Sequence, residues 1–233
     1  MTNSGHPAAS PRPPRGTLNE SRWDEVLGVA AEVFGEKGYR AATLRDIASR
    51  LGMLKGSLYY YIDSKEDLLF EILRRSHLQG VEFVAESADM YAAAPAERLA
   101  RLIRNWMVGV ASLPPVLNIS ESDFHLLKGE RRREIVSLRA QIAKVPQDII
   151  SAGIADGSFD QSVDPYVATA TLMRILNTTH QWYRPGRDIE WAEITEWYVQ
   201  LMLGGLQARP VTKARKAAGR SQPARRRAGS LWG

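Results

Sequence analysis

The 233-residue sequence contains no cysteine, and this absence excludes disulfide bonds, thiol catalysis and thiolate metal sites. No run of residues approaches the ~18–20 consecutive apolar positions that a membrane-spanning helix needs. The N-terminal stretch is rich in Pro, Ser and Arg and lacks the apolar core of a secretory signal. We therefore expect a protein of the reducing cytoplasm that has no membrane partner.

Catalytic and metal-binding motifs are missing as well. The four histidines are dispersed without metal-ligand spacing, and the sequence has no nucleophile elbow, dinucleotide-binding motif or P-loop. Nothing in the sequence assembles a nucleophile, a base and an oxyanion donor. The sequence thus predicts a protein that is not an enzyme, with no catalytic residue, no metal and no cofactor.

Strand-like alternation of useful length is also lacking, and apolar residues recur instead at helical spacing. The predicted fold class is therefore all-α. A long helical run over 130–156 contains Pro146, which we expect to kink the helix or split it in two. The other long helices are predicted over 21–37, 97–112, 167–182 and 191–206.

Residues 43–65 are the most informative part of the chain. An apolar helical stripe begins directly after Thr43, a natural N-cap, and its helix ends at Gly52, where a left-handed residue costs least. A second short helix, over about 54–60, is too rich in tyrosine to be plain core. Two helices that meet across a glycine-containing turn form a helix-turn-helix, whose second helix fits the major groove of DNA. The pattern predicts DNA binding.

Further motifs flank this pair of helices in a fixed order between about Arg22 and Arg75. They are Ala-Ala-Glu-Val-Phe at 30–34, Lys-Gly-Tyr at 37–39, Thr-Leu-Arg-Asp-Ile-Ala at 43–48, Gly-Ser-Leu-Tyr-Tyr-Tyr at 56–61 and Ser-Lys-Glu-Asp-Leu at 64–68. In order, spacing and residue type this stretch resembles the DNA-binding domain of the TetR (tetracycline-repressor) family of bacterial transcription regulators. Two positions depart from the family pattern. Leu54 stands where the family usually has a small polar cap residue, and Tyr61 stands where histidine is commoner.

The resemblance implies a role for each DNA-facing residue. Thr43, Tyr61 and Lys65 would hold phosphates. A palindromic double-stranded operator is expected, because twofold dimers read two half-sites about one helical turn or a multiple of it apart. The side chains that would face base edges or the adjoining backbone are Arg45, Lys55, Ser57, Tyr59 and Tyr60.

The last two helices carry more apolar surface than one core-facing stripe needs. One interpretation is core within the chain, and the other is a dimer interface, since exposed apolar area of this size marks association surfaces. The last two helices form a four-helix dimer interface in the resembled family, which implies a homodimer here. The candidate interface residues are Trp191, Ile194, Trp197, Tyr198 and Leu201.

Polar and amphipathic residues interrupt the otherwise apolar helices of the second half. Taken singly, each suits a satisfied core or surface position. Taken together, they suit an apolar pocket with a few polar groups, and the resemblance implies an effector cavity. The stretch 177–186 is similar to its equivalent in family members that sense acyl-CoA thioesters of fatty-acid or steroid breakdown. The candidate ligand-binding residues are Trp106, Asn118, His125, Arg174, Asn177, His180 and Trp182.

Charge is distributed unevenly along the chain, whose net charge is +5. Ten basic residues and no acid lie before Glu20 and after Gln207, and the remaining body has 21 basic against 26 acidic residues. The expected organisation is a disordered tail over 1–19, a helix-turn-helix domain over 20–75, a ligand-binding and dimerisation domain over 76–208, and a basic disordered tail over 209–233.

Two functions from different classes fit these observations. The first is a ligand-responsive, sequence-specific repressor, nucleoid-associated in a bacterial cytoplasm, that leaves its operator when a small apolar effector binds. The second is a ligand-independent architectural protein that binds DNA through its basic tail. The first function predicts a footprint on one palindrome, whereas the second predicts uniform coating of the DNA.

Overall fold

The structure is a computed structural model, and within its described residues the chain is helical apart from one isolated β-bridge between Phe159 and Gln207. The all-α prediction is confirmed. Neither predicted tail is described, and Asn118 also lies outside the described residues. None of the helices in the part that is described is both long and apolar enough to span a bilayer. The described residues are 20–88, 93–112, 116, 119–120, 122–184, 186 and 189–207.

The first three helices pack around a small core, which the first part of a fourth helix completes. We call this N-terminal unit the head. Ile47 from the second helix and Leu58 from the third are fully buried between the first and fourth helices. Burial of these side chains fixes the orientation of the two helices of the helix-turn-helix. The bounds are α1 Glu20–Lys37, α2 Leu44–Arg50, α3 Lys55–Leu58 and α4 Lys65–Ala88.

In the described part of the C-terminal half, four helices of 16 to 27 residues and a 3₁₀ turn, Phe124–Leu126, have defined bounds. The helix predicted over 191–206 has those bounds, while the helices predicted to begin at 97 and 167 each begin two residues earlier, at a proline. Proline suits the first helical turn because its missing N–H has no partner there. The helices are α5 Pro95–Ser112, α6 Gly129–Ala155, α7 Pro165–Trp182 and α8 Trp191–Leu206.

Helix α6 continues through Pro146, so the predicted split does not occur. A proline inside a helix costs about 3 kcal/mol, because it removes one hydrogen bond and crowds a carbonyl. The buried side chains of Ile142, Ile149 and Ile150 lie on both sides of Pro146, and their packing outweighs that cost. The C-terminal half therefore has one continuous helix at its centre.

Helix α4 belongs to both halves of the molecule. It packs against α1 in the head and against α5 and α6 in the C-terminal half. The predicted domain boundary between 75 and 76 falls inside this helix, so that the two halves share one rigid element.

Candidate functional site

The first helix of the helix-turn-helix begins with the predicted cap. The Thr43 hydroxyl accepts from the Asp46 amide at 3.2 Å, and Asp46 Oδ2 accepts from the Thr43 amide at 2.8 Å, which completes a capping box. Lys37 Nζ donates to Asp46 Oδ1 at 2.6 Å. These hydrogen bonds, with that of Lys37 foremost, hold the pKa of the Asp46 carboxyl far below its usual range. Thr43 is exposed, as its predicted phosphate contact requires.

The second helix is shorter than predicted. Gly52 takes a φ of 66° at the turn, as expected, and the α-helix covers only Lys55–Leu58 instead of about 54–60. From Tyr59 to Tyr61 the amides bond to carbonyls three residues back, at 3.2, 3.3 and 2.9 Å. Such bonds are typical of a 3₁₀ turn, which tightens the chain and rotates successive side chains apart. The stretch from Tyr59 to Tyr61 thus continues α3 as a tight turn.

All five predicted base-contacting residues are exposed, and we call the surface that they form the recognition face. Tyr59 and Tyr60 are exposed, and the Lys55 ammonium lies over the Tyr59 ring at 5.7 Å from its centroid. Leu54, which is exposed to 81%, joins this surface although the sequence suggested only a missing cap at its position. The recognition face comprises Arg45, Leu54, Lys55, Ser57, Tyr59 and Tyr60.

Tyr61 lies at the edge of this face and is half-buried. Its ring stacks on Trp23 with 6.2 Å between centroids, and it meets Tyr60 edge to face at 5.5 Å. The aromatic contacts orient the Tyr61 ring between α1 and the recognition face. A phosphate contact of its hydroxyl stays a prediction.

Lys65 is placed differently from the prediction. Its ammonium donates to the carbonyl oxygens of Tyr39 at 2.6 Å, Ala42 at 2.8 Å and Arg40 at 3.3 Å. Burial lowers the pKa of this lysine, whose ammonium also lies 4.4 Å from the centroid of the Tyr39 ring. An ammonium has three donors, and the three carbonyls occupy them, so none is left for a phosphate. Lys65 instead ties the α1–α2 loop to the start of α4.

Asp67, two residues further on, joins the head to the C-terminal half. Its Oδ2 accepts from the amides of Asp63 at 2.7 Å and Ser64 at 2.9 Å, and its Oδ1 accepts from Arg131 Nη2 at 2.5 Å. Burial raises the pKa of this carboxyl, but the amides and the guanidinium outweigh burial, and the pKa is lowered. Nothing in the local sequence indicates Arg131 as the partner of Asp67, because the two residues are 64 positions apart.

A cavity of about 160 Å³ lies between α4 and α5. Trp106 is the one predicted ligand-binding residue in its described lining, and its indole N–H donates to Asn177 Oδ1 at 2.8 Å. Trp106 also meets Phe83 edge to face at 5.9 Å, and a Cβ on Gly109 would meet no atom within 4 Å. The lining is mainly apolar and consists of Ser76, Gln79, Gly80, Phe83, Trp106, Gly109 and Val110.

Of the other predicted ligand-binding residues that the structure describes, Asn177 bonds to Trp106 of the lining, and the remaining four are not part of the lining. Arg174 and Trp182 are exposed on α7, His125 is exposed in the 3₁₀ turn, and His180 is half-buried on α7. Their role in ligand binding stays a prediction. Within the described residues, no group of three or more His, Asp or Glu side chains is placed to hold a metal ion.

A buried polar cluster next to the cavity was not predicted. Arg139 donates from Nε to His77 Nε2 at 3.2 Å and from Nη2 to the Ser120 carbonyl at 2.6 Å. His77 Nδ1 lies 2.6 Å from the Leu73 carbonyl oxygen, which assigns the proton to Nδ1. Burial, together with the charge of Arg139, lowers the pKa of His77 to about 4. The cluster adds a buried polar connection between α4 and α6 to the ion pairs Asp67–Arg131 and Arg74–Glu134.

The predicted dimer residues divide between the core and the surface. Ile194 is buried, Trp191 donates from Nε1 to the Met107 carbonyl at 3.0 Å, and the Tyr198 hydroxyl lies 3.0 Å from Thr179 Oγ1. These three residues pack within the chain. Trp197 and Leu201 are each exposed to 60%, and we call the surface they form with α7 the outer face, comprising Tyr166, Val167, Trp182, Trp197 and Leu201.

Comparison with known families and proteins matches both halves of the chain. Residues 26–72 match "Bacterial regulatory proteins, tetR family", and residues 92–206 match "Tetracyclin repressor-like, C-terminal domain". The chain is 33% identical over 203 residues to the HTH-type transcriptional repressor KstR2 of Rhodococcus jostii (strain RHA1). That alignment covers 84% of this chain and 97% of the relative.

Solved structures agree with this comparison. The ketosteroid transcriptional regulator KstR2 of Mycobacterium tuberculosis superimposes with a TM-score of 0.74 at 30% identity, over 83% of this chain and 98% of the other. AibR in complex with isovaleryl coenzyme A and operator DNA gives 0.71 at 24% identity, over 77% and 97%. The likeness to AibR shows a shared fold.

The position of Lys65 leads to a prediction that distinguishes a structural role in the head from direct contact with DNA. Lys65→Met should lower the free energy of unfolding by about 1.5–3 kcal/mol, because three carbonyls lose a charged donor. The salt dependence of DNA binding by the folded fraction should stay unchanged. Lys55→Met is the matched control, since this exposed lysine should leave thermal stability unchanged and reduce the log–log salt slope by about 1 per phosphate contact. Thermal denaturation and salt titrations measure both, and a shallower slope for Lys65→Met would contradict the assignment.

Proposed function

The chain belongs to the TetR family of bacterial regulatory proteins, and on this premise we propose that it is a ligand-responsive transcriptional repressor. It binds a palindromic operator in the cytoplasm as a homodimer and is released when a small apolar effector occupies the C-terminal half. The recognition face carries this proposal. It brings an arginine, a lysine, a serine and two tyrosines to one exposed surface at the front of a helix-turn-helix.

The chemistry of this face suits sequence readout. An arginine can bond a guanine edge with two hydrogen bonds, and tyrosine hydroxyls can reach bases or phosphates. The positive net charge of the chain says little about this face, because the body without the tails has more acidic than basic residues. Local placement of a few cations, rather than overall charge, therefore has to support specific binding.

Selection from a random duplex library with the full chain tests the function. We expect one palindromic sequence to be recovered. Arg45→Ala should weaken binding to it by about 1–3 kcal/mol and relax preference at one position, and Tyr59→Ala should also weaken it. Val108→Ala, at an exposed valine of α5, serves as the control and should bind as wild type. Equal binding to all sequences would instead support an architectural protein that binds DNA through its basic tail.

The outer face supports the homodimer. Trp197 and Leu201 on α8 and Val167 and Trp182 on α7 are apolar residues that the described part of the chain leaves exposed. Apolar surface of this kind on neighbouring helices is typical of association sites. Pairing this surface across a twofold axis would produce a four-helix interface and place two recognition faces on one duplex.

A pair of charges on the outer face should dissociate the dimer. Trp197→Glu combined with Leu201→Glu would place two like charges per subunit in an apolar interface, and each unpaired buried polar group costs about 1–3 kcal/mol. We expect a helical monomer in sedimentation velocity that no longer binds the full palindrome. Val108→Glu changes an equally exposed valine on α5 and should remain dimeric. An intact dimer for the double variant would exclude the outer face as the interface.

The cavity between α4 and α5 supports a small apolar effector group. A cavity of about 150 Å³ holds a benzene-sized molecule, and the volume here is close to that, at about 160 Å³. A short acyl chain matches this size and the apolar lining better than a whole fused-ring molecule. We therefore propose an acyl-CoA thioester whose acyl group enters the cavity. The AibR complex, which contains isovaleryl coenzyme A and operator DNA, supports this because the same fold accommodates both.

Helix α4 is the connection between cavity and DNA in this proposal. Its middle lines the cavity with Gln79, Gly80 and Phe83, and its first turn holds Lys65 and Asp67. An acyl group that moves α4 away from α5 would therefore move the contacts that position the helix-turn-helix. Release from DNA requires that the effector bind this displaced arrangement more tightly than the DNA-bound one.

Filling the cavity should block release without affecting DNA binding. Gly109 lines the cavity, and a Cβ there would meet no atom within 4 Å, so Gly109→Leu should occupy space that the acyl group needs. We expect at least about a tenfold loss of response, or about 1.4 kcal/mol. Release of the selected duplex by isovaleryl-CoA and octanoyl-CoA, with free CoA as blank, can be followed by fluorescence anisotropy. Val108→Leu alters the neighbouring exposed position and should respond as wild type. A normal response of Gly109→Leu would place the acyl group elsewhere.

A further inference from the structure

Leu54 is the most exposed large apolar residue of the described chain, at 81%. A single exposed leucine is ordinary on a protein surface. This one lies immediately before the recognition helix and shares the recognition face with Lys55 and Tyr59. Its neighbours there are polar, and no neighbouring side chain of the head covers it. Its position therefore raises the question of which partner an apolar side chain would meet in a DNA groove.

The backbone explains why Leu54 points outward. Leu54 precedes the buried Leu58 by four residues, which in a continuous helix would place both side chains on one face. Leu54 is instead the N-cap residue, with an extended backbone at φ −70° and ψ 143°. The Ser57 amide bonds to its carbonyl oxygen at 2.9 Å, so the backbone is held while the side chain contributes no cap. The leucine is fixed in place and directed away from the core.

The major groove offers few apolar groups. Base edges there present hydrogen-bond donors and acceptors, and the apolar exception is the C5-methyl group of thymine. A leucine placed against a donor or acceptor would remove it from water and return no hydrogen bond. Contact with a thymine methyl is therefore favourable, and contact with the other bases is unfavourable.

We infer that Leu54 is a specificity-determining residue that packs against the C5-methyl group of one thymine in each operator half-site. The inference rests on the proposed function, since it requires that the recognition face enter the major groove. It assigns a role to the position where a polar cap is absent. The gain from burying a methyl group and the penalty against other bases act together, as specificity requires.

Replacement of thymine by deoxyuridine tests this contact, because it removes only the methyl group. The probe is the palindromic duplex selected from a random library by the full chain, with one symmetry-related pair of thymines changed at a time. For wild type, one such pair should weaken binding about fifteenfold, which is about fourfold for each methyl group. For Leu54→Ala the same duplex pair should differ by less than about twofold, since the methyl has lost its partner.

The matched control is Val108→Ala, which removes an exposed apolar side chain from α5 and should keep the full fifteenfold difference. Thermal denaturation should show that Leu54→Ala is as stable as wild type, as its exposure implies. Two results would overturn the inference and leave the repressor function standing. In the first, Leu54→Ala loses as much binding as wild type when thymine is replaced by deoxyuridine. In the second, no thymine of the selected palindrome affects wild-type binding when it is replaced. Failure to select any sequence overturns both.

Discussion

The ion pair between Asp67 and Arg131 connects the two halves of the molecule at the first turn of α4. Asp67 also accepts the amides of Asp63 and Ser64, so that one carboxylate holds the turn behind the recognition helix and the start of α6 together. Lys65 extends this arrangement to the α1–α2 loop through three carbonyl oxygens. Partly buried charges of this kind stabilise only when every hydrogen bond is in place, and for that reason they specify one arrangement of the head.

Helix α7 connects the cavity with the outer face. Asn177 of α7 accepts the indole N–H of Trp106, which lines the cavity, while Val167 and Trp182 of the same helix point outward. A hydrogen bond at 2.8 Å that orients an indole makes the cavity wall depend on the position of α7. The surface proposed for dimerisation and the cavity proposed for the effector are therefore opposite sides of one packed layer.

Sequence reasoning was most accurate where a side chain acts through its neighbours in the chain. Thr43 caps α2, and Gly52 adopts a positive φ, as predicted. It was least accurate where the role of a side chain depends on its exposure or on a partner far away in the sequence. The sequence did not show that Ile194 is buried and Trp197 is exposed. Helix periodicity shows that both faces of α8 are apolar, but it does not show which face packs within the chain.

The all-α class, the helix-turn-helix and the family follow from the amino-acid sequence by itself, since periodicity, caps and turn residues act over three or four positions. Only the tertiary structure shows which partners the charged and aromatic side chains bind. Lys65 bonds to the carbonyl of a residue 26 positions away, Asp67 to a guanidinium 64 away, and Trp106 to an amide 71 away. No local pattern encodes such partners, because the chain brings them together only when its helices pack. The same packing leaves Leu54 in solvent while it buries Leu58.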